Sequence, residues 1–180
     1  MSKKAFLNFL ALTLIFYSHT VFAQSMMDSN MLKAQTNLMQ FAGKWVDKNP
    51  NINIGGRMYG GEYFMDFIPI NENTGMLVYE KWLNDEFNLL GVNLVGYDPN
   101  AGQVHLYSID NTGTAHDHYG YWIDDKHLFL QYQGVVDGKM YVEQINVILE
   151  NPEKFKLKLI GMLNGEIYEI IEGAFVKSNK

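Results

Sequence analysis

The sequence contains no cysteine, a single arginine at Arg57, only four prolines, and one long apolar run confined to its start. Each shortage excludes something. Without cysteine there are no disulfides, no thiolate metal site and no lipid-acceptor thiol, so any fold must be held by its own core. One arginine in a chain of net charge −6 argues against nucleic acid and against anionic membrane surfaces as partners. No segment after residue 17 is apolar and long enough to cross a bilayer as a helix. Phosphate-loop and serine-elbow patterns are also missing: Gly55-Gly56 and Gly60-Gly61 are not followed by the required Lys-Ser/Thr, and no Gly-x-Ser-x-Gly occurs.

The apolar run itself reads as an address. Lys3 and Lys4 precede Ala5–Tyr17, and Val21-Phe22-Ala23 precedes Gln24, the order of a cleavable signal peptide. The expectation is a signal segment over 1–23 and a mature domain over 24–180, exported to the periplasm or beyond the cell. Cleavage removes two lysines and no acid, taking the net charge from −6 to −8.

Residues 29–41 carry Met31, Leu32, Gln35, Leu38, Met39 and Phe41 at roughly helical spacing, with Asp28 or Ser29 as a starting cap and Gly43 as a stop. One short amphipathic helix is expected there. Beyond it the pattern is β throughout. Ten strands are expected: Lys44–Asp47, Tyr59–Ile70, Thr74–Leu83, Phe87–Tyr97, Gln103–Ile109, Thr114–Ile123, His127–Val136, Lys139–Leu149, Lys154–Leu163 and Ile167–Val176. Lys48–Arg57, rich in Asn and Gly, reads as a loop. Asp137-Gly138 and Asn164-Gly165 are strong two-residue hairpin signals. Alternation is plainest in 154–163, with Lys154, Lys156 and Lys158 on one face and Phe155, Leu157, Leu159 and Gly161 on the other. Tyr141, Glu143, Ile145 and Val147 share a face in the preceding strand, a mixture that fits a partly polar interior, an edge or a crowded surface equally. Consecutive short strands with tight turns solve their edge problem by closing. The fold class is therefore all-β: an up-and-down antiparallel barrel of about ten strands over residues 44–177, preceded by the helix.

A short helix leading into Gly43-x-Trp45, then a long meander with Gly96-Tyr97-Asp98 at one strand end and Asp110-x-x-Gly113 at the next turn, resembles the calycin superfamily of lipocalin-like and fatty-acid-binding-like barrels. It is similar to a group of uncharacterised bacterial barrel proteins with a Gly-Tyr-Asp turn. The resemblance spans about residues 30–176. It implies a ligand cavity and a Trp45 packed across the closed end. Haem-binding relatives use a histidine on the last strand, and 167–177 has none, so no haem or other cofactor is expected.

Three kinds of residue are candidates for chemistry. His105, His116 and His118 form one patch if Ile109 opposes Thr114 across the Asp110–Gly113 turn, and three imidazoles suit Zn²⁺ or Cu²⁺. A register one residue off scatters them, leaving polar groups on the outside of a barrel. In that same register Ser108 faces away from His116. Glu143, Glu169 and Glu172 are possible acids but read as surface charges. Aromatic residues are plentiful, and Tyr63, Phe67, Tyr79, Tyr97, Tyr107, Tyr121 and Tyr132 are the expected cavity set, or else core packing. No catalytic residue is assigned. The leading expectation is an exported barrel holding a small apolar or amphipathic molecule. An isomerase or hydrolase on the same barrel, using His, Tyr and a carboxylate, and an envelope protein–protein module are the alternatives.

Overall fold

A computed structural model describes residues 29–84, 86 and 88–178. The expected signal segment lies outside the described residues. Helix α1 covers 29–39. Twelve strands follow: β1 Gly43–Asp47, β2 Asn51–Ile54, β3 Arg57–Tyr59, β4 Glu62–Ile70, β5 Gly75–Leu83, β6 Asn88–Asp98, β7 Gln103–Asp110, β8 Ala115–Trp122, β9 His127–Val136, β10 Lys139–Asn151, β11 Lys154–Leu163 and β12 Glu166–Lys177.

Every pairing is antiparallel. From β4 to β12 each strand bonds to the next, and β1 bonds to both β4 and β12, closing a ten-strand barrel. Closure comes from a split ribbon. β1 pairs with the end of β12 through Trp45↔Lys177 and Val46↔Val176, and β2 pairs further along it through Asn51↔Glu172 to Ile54↔Glu169. Between them the Asp47 side chain accepts a hydrogen bond from the Ala174 backbone N–H at 2.6 Å, standing in for the missing ladder bond.

The expected loop over Lys48–Arg57 is thus corrected. Residues 48–50 are irregular as expected, but Asn51–Ile54 is a strand and Arg57 opens another, joined by the turn at 55–56. Gly55 and Gly56 both have positive φ, the primed-turn geometry that matches the twist of two flanking strands. The asparagines that suggested a loop are strand residues because β12 supplies their backbone partners. Asp137-Gly138 and Asn164-Gly165 are the tight turns their residue types imply, with positive φ throughout.

One end of the barrel is covered. α1 buries Ala34 and Leu38, and Phe41 follows it into the core. Lys33 and Gln40 tie the helix to Asp125 in the β8–β9 turn, the first by an ion pair at 2.8 Å and the second by an amide donating to the backbone carbonyl. Beneath the helix Phe155 is the hub of an aromatic cluster. It stacks on Phe175 at 4.6 Å and meets Trp45 edge-on at 4.9 Å, with Phe41 and Phe67 close by. The Trp45 indole N–H donates to the Phe41 carbonyl at 2.7 Å, fixing the chain between helix and barrel.

The alternation expected in 154–163 is present. Phe155 and Leu157 are buried, whereas the three lysines point out and pair with Glu150 and Glu172. On β6–β8 the polarity is mixed, with Leu89, Val95, Val104 and Leu106 inside but many apolar residues outside. Leu90, Val92, Leu94, Tyr107 and Ile109 are exposed outside, while Asn93, Ser108, His116 and His118 face in.

Candidate functional site

The barrel encloses a cavity of about 560 Å³. Its floor, under α1, is apolar: Leu38, Phe41, Phe67, Met76, Leu128 and Phe155 line it. Midway along the barrel the lining turns polar, with Glu80, Asn93, His116, His118, Glu143 and Glu169. Among the described residues no lysine or arginine lines it.

Adjacent strands build the polar belt. β8 carries His116 and His118 two residues apart, hence on one face. β9 sets Tyr132 beside them, its ring stacked on His116 at 3.9 Å and 15°. β10 contributes Tyr141 and Glu143, opposite Tyr132 in register, and β12 contributes Glu169 opposite Gly161 of β11. Glu143 is the centre. Its Oε1 lies 2.8 Å from His118 Nε2, and its Oε2 lies 3.4 Å from His116 Nδ1 and accepts a hydrogen bond from Tyr141 at 2.8 Å. His118 Nδ1 lies 3.3 Å from the Leu106 carbonyl. His118 and Glu143 are only 2% and 6% exposed.

Burial alone pushes the Glu143 carboxyl up, but hydrogen bonds from His116 and His118, the His118 charge and the Tyr141 hydroxyl outweigh it and bring it to about 2. The same burial pushes Glu169 up, and the neighbouring Glu143 charge adds to it against the Tyr141 bond. The Tyr141 hydroxyl sits between these two carboxyls. Desolvation and both acids push its pKa far above the ordinary phenol value. A phenol has one proton and donates to one acceptor at a time, so the raised Glu169 is the group suited to carry a second proton and donate it to Tyr141. The belt therefore links Glu169, Tyr141, Glu143 and the two imidazoles in one continuous set of polar contacts. A separate pair stands across the barrel, where Tyr63 donates to Glu80 at 2.8 Å. Burial raises Glu80 despite the bonds from Tyr63 and Asn93 that lower it.

Glycines make room for these acids. A Cβ on Gly91, opposite Glu80, would stand 2.2 Å from its carboxylate; one on Gly161 would stand 2.5 Å from Glu169 and 2.7 Å from the Tyr141 hydroxyl.

The structure divides the expected site residues. Tyr63 and Phe67 line the cavity, Tyr132 faces in against His116, and Tyr97 is half-buried against the core. Tyr79, Tyr107 and Tyr121 are about half exposed on the outer face and do not reach the cavity. The three-histidine patch is not assembled: His116 and His118 are inside, but His105 is outside, paired with Asp117 at 3.3 Å. The cause is register. Ile109 opposes Ala115 rather than Thr114, so His105 faces Tyr119 and Leu106 faces His118. The Asp110 carboxylate sets this by accepting from the Thr112 and Thr114 backbone N–H groups, making a five-residue connection. The same shift puts Ser108 directly opposite His116, on the cavity lining.

Glu143 and Glu169, read as surface charges, are interior; Glu172 is outside with Lys158. The missed signals were periodic. Glu80 shares a face with Met76, Val78 and Trp82, and glycines stand opposite Glu80 and Glu169; the face Glu143 shares with Ile145 and Val147 is visible in the sequence but fits an edge or a surface as well as an interior.

No protein-family model matches this chain, and no curated protein matches it.

Proposed function

We propose that this chain is an exported, calycin-like barrel that binds one small amphipathic molecule. The observation that carries the reading is the polarised lining: an apolar floor and, midway up, a belt of three carboxylates and two histidines with, among the described residues, no lysine or arginine. The volume falls in the range of small-ligand sites. An apolar ligand body fits against Phe41, Phe67 and Phe155. The polar end that suits a belt of Glu80, Glu143 and Glu169 is a hydrogen-bond donor or a cation, such as an amine, rather than a carboxylate. The leader-like residues 1–23 support export, and the helix before Gly43-x-Trp45 supports the calycin resemblance.

Native mass spectrometry of the protein purified undenatured from its own host tests this by showing a retained small molecule. Titration with a long-chain alkylamine and with the matching fatty acid, followed by tryptophan fluorescence, tests the head-group preference. The amine is expected to bind more tightly. A bare protein that binds neither overturns the reading.

A second reading, an enzyme on the same barrel, is favoured by one observation: a buried His118–Glu143 pair that faces the cavity beside Tyr141. Conversion of the retained molecule on incubation, lost in Glu143→Gln, would make it the better reading.

A further inference from the structure

We infer that His116, His118 and Glu143 form a site for one divalent transition cation of the zinc class, with its remaining coordination position open to the cavity. The inference goes beyond the ligand reading: with a cation held by Glu143, the carboxylate left for an amine head group is Glu80 across the barrel.

The donor atoms carry it. One nitrogen from each imidazole and one oxygen of Glu143 all lie within 4.8 Å of one another. Two imidazole nitrogens and a carboxylate oxygen are a borderline donor set suited to zinc, and three protein ligands with one open position are the arrangement of reactive rather than structural zinc. The groups behind the donors are also those that orient metal ligands. The Leu106 carbonyl faces His118 Nδ1, so a proton there leaves the Nε2 lone pair directed at Glu143. Tyr132 stacks on His116 and fixes its ring plane. Tyr141 donates to Glu143 Oε2. A cation would take the place of the proton otherwise needed between His118 Nε2 and the carboxylate. No lysine or arginine lines the cavity, among the described residues, to neutralise the site instead.

The rival is a bare imidazolium–carboxylate pair that needs no metal. Chelator-treated protein titrated with Zn²⁺ alone at neutral pH, by calorimetry, separates the two. About one equivalent should bind saturably, with a rise in melting temperature. His116→Ala and His118→Ala should abolish this binding. Tyr141→Phe should weaken it by roughly 10–100-fold, the usual cost of removing a ligand's supporting hydrogen bond. His105→Ala should leave it unchanged. Near-ultraviolet circular dichroism identifies any variant that fails to fold. Wild-type protein then gives the answer unaided: added Co²⁺ should shift and broaden the His116 and His118 ring signals in NMR spectra while sparing His105. No saturable binding, binding that survives in both folded cavity-histidine variants, loss on His105→Ala, or Co²⁺ effects centred on His105 would each overturn the site.

Discussion

The floor and the polar belt of this barrel face the same cavity but are built on opposite principles. At the floor, Phe155, Phe175, Trp45 and Phe41 touch ring to ring, and their only buried polar need, the Trp45 indole, is met by a backbone carbonyl. At the belt, His118 and Glu143 bury charge-bearing groups that an apolar core would not need. The first arrangement gains from burial and packing. The second costs desolvation, which its internal bonds offset. The floor holds the barrel together, and the belt puts reactive groups where a ligand can meet them.

Substitution should separate the two regions. Phe155→Ala should cost about 3–5 kcal/mol in urea unfolding, because a hub of packed rings cannot collapse into the gap. Glu143→Leu should cost a similar amount, about 3–5 kcal/mol, by leaving buried imidazoles unpaired. The second substitution tells them apart. Adding His118→Leu to Glu143→Leu should recover most of that loss, since buried ion pairs are often replaceable by apolar residues. No single change elsewhere should rescue Phe155→Ala. If the double variant at the belt stays as unstable as the single one, the belt is structural too and the contrast fails.

Acid should act on the belt before the floor, with a definite sign. Glu143 is lowered to about 2 in the folded barrel. Its contribution is fully present above the unfolded carboxyl value near 4.5 and is lost as pH falls toward 2. A shift of that size corresponds to something on the order of 3 kcal/mol. Glu80 and Glu169 are raised, so their contributions run the other way: present at low pH and lost as pH rises above the ordinary carboxyl range. Unfolding free energy measured between pH 2 and 7 should therefore fall steeply only below about 4.5, and Glu143→Gln should flatten that limb. An unchanged acid limb in Glu143→Gln would place the effect elsewhere.

What was legible in the sequence follows the range of the forces involved. Asp137-Gly138 and Asn164-Gly165 fix their turns through their own backbone preferences. The lysine–apolar alternation of 154–163 fixes one strand's faces by itself. Closure by β1 and β2 was not legible as a split ribbon, because Asn51–Ile54 becomes strand only when β12 is beside it. The belt was read badly for a different reason. Aromatic identity does not say which way a side chain points, and on β6–β8 both faces are mixed, with Leu90, Val92, Leu94, Tyr107 and Ile109 outside and Asn93, Ser108, His116 and His118 inside. A barrel hollow enough to hold a ligand has no need of an apolar interior on every strand, so the rule that places Tyr107 and Tyr121 inward fails there, while Tyr79 on β5 points out simply because Met76, Val78 and Trp82 hold the inner face. The glycines opposite Glu80 and Glu169 were visible, but their meaning depends on pairings between strands.

A milder test probes the joint between helix and floor. Trp45→Phe keeps most of the ring packing and removes the indole N–H that bonds the Phe41 carbonyl. Loss of one buried hydrogen bond with a carbonyl left unpaired should cost about 1–3 kcal/mol. The loss should appear as faster amide exchange in α1 as well as lower global stability. Exchange that stays unchanged in the helix would mean Lys33, Gln40 and Leu38 hold it without Trp45.

The smallest effect is expected at His105, where the outcome bears on register. Its pair with Asp117 is 42% and 61% exposed, and surface pairs of this kind contribute about 0–1 kcal/mol. His105→Ala should therefore leave urea stability almost unmoved. His116→Ala, on the inner face and stacked on Tyr132, should move it clearly. A Ile109–Thr114 pairing would predict otherwise, because it places His105 beside His118 and makes both substitutions disturb one cluster. The double variant sharpens this. In the observed register the two histidines share no partner and point to opposite faces, so their effects should add to within about 0.5 kcal/mol. Marked non-additivity would mean that the turn at Asp110–Thr114 has slipped by one residue, and with it every assignment of inside and outside on β7.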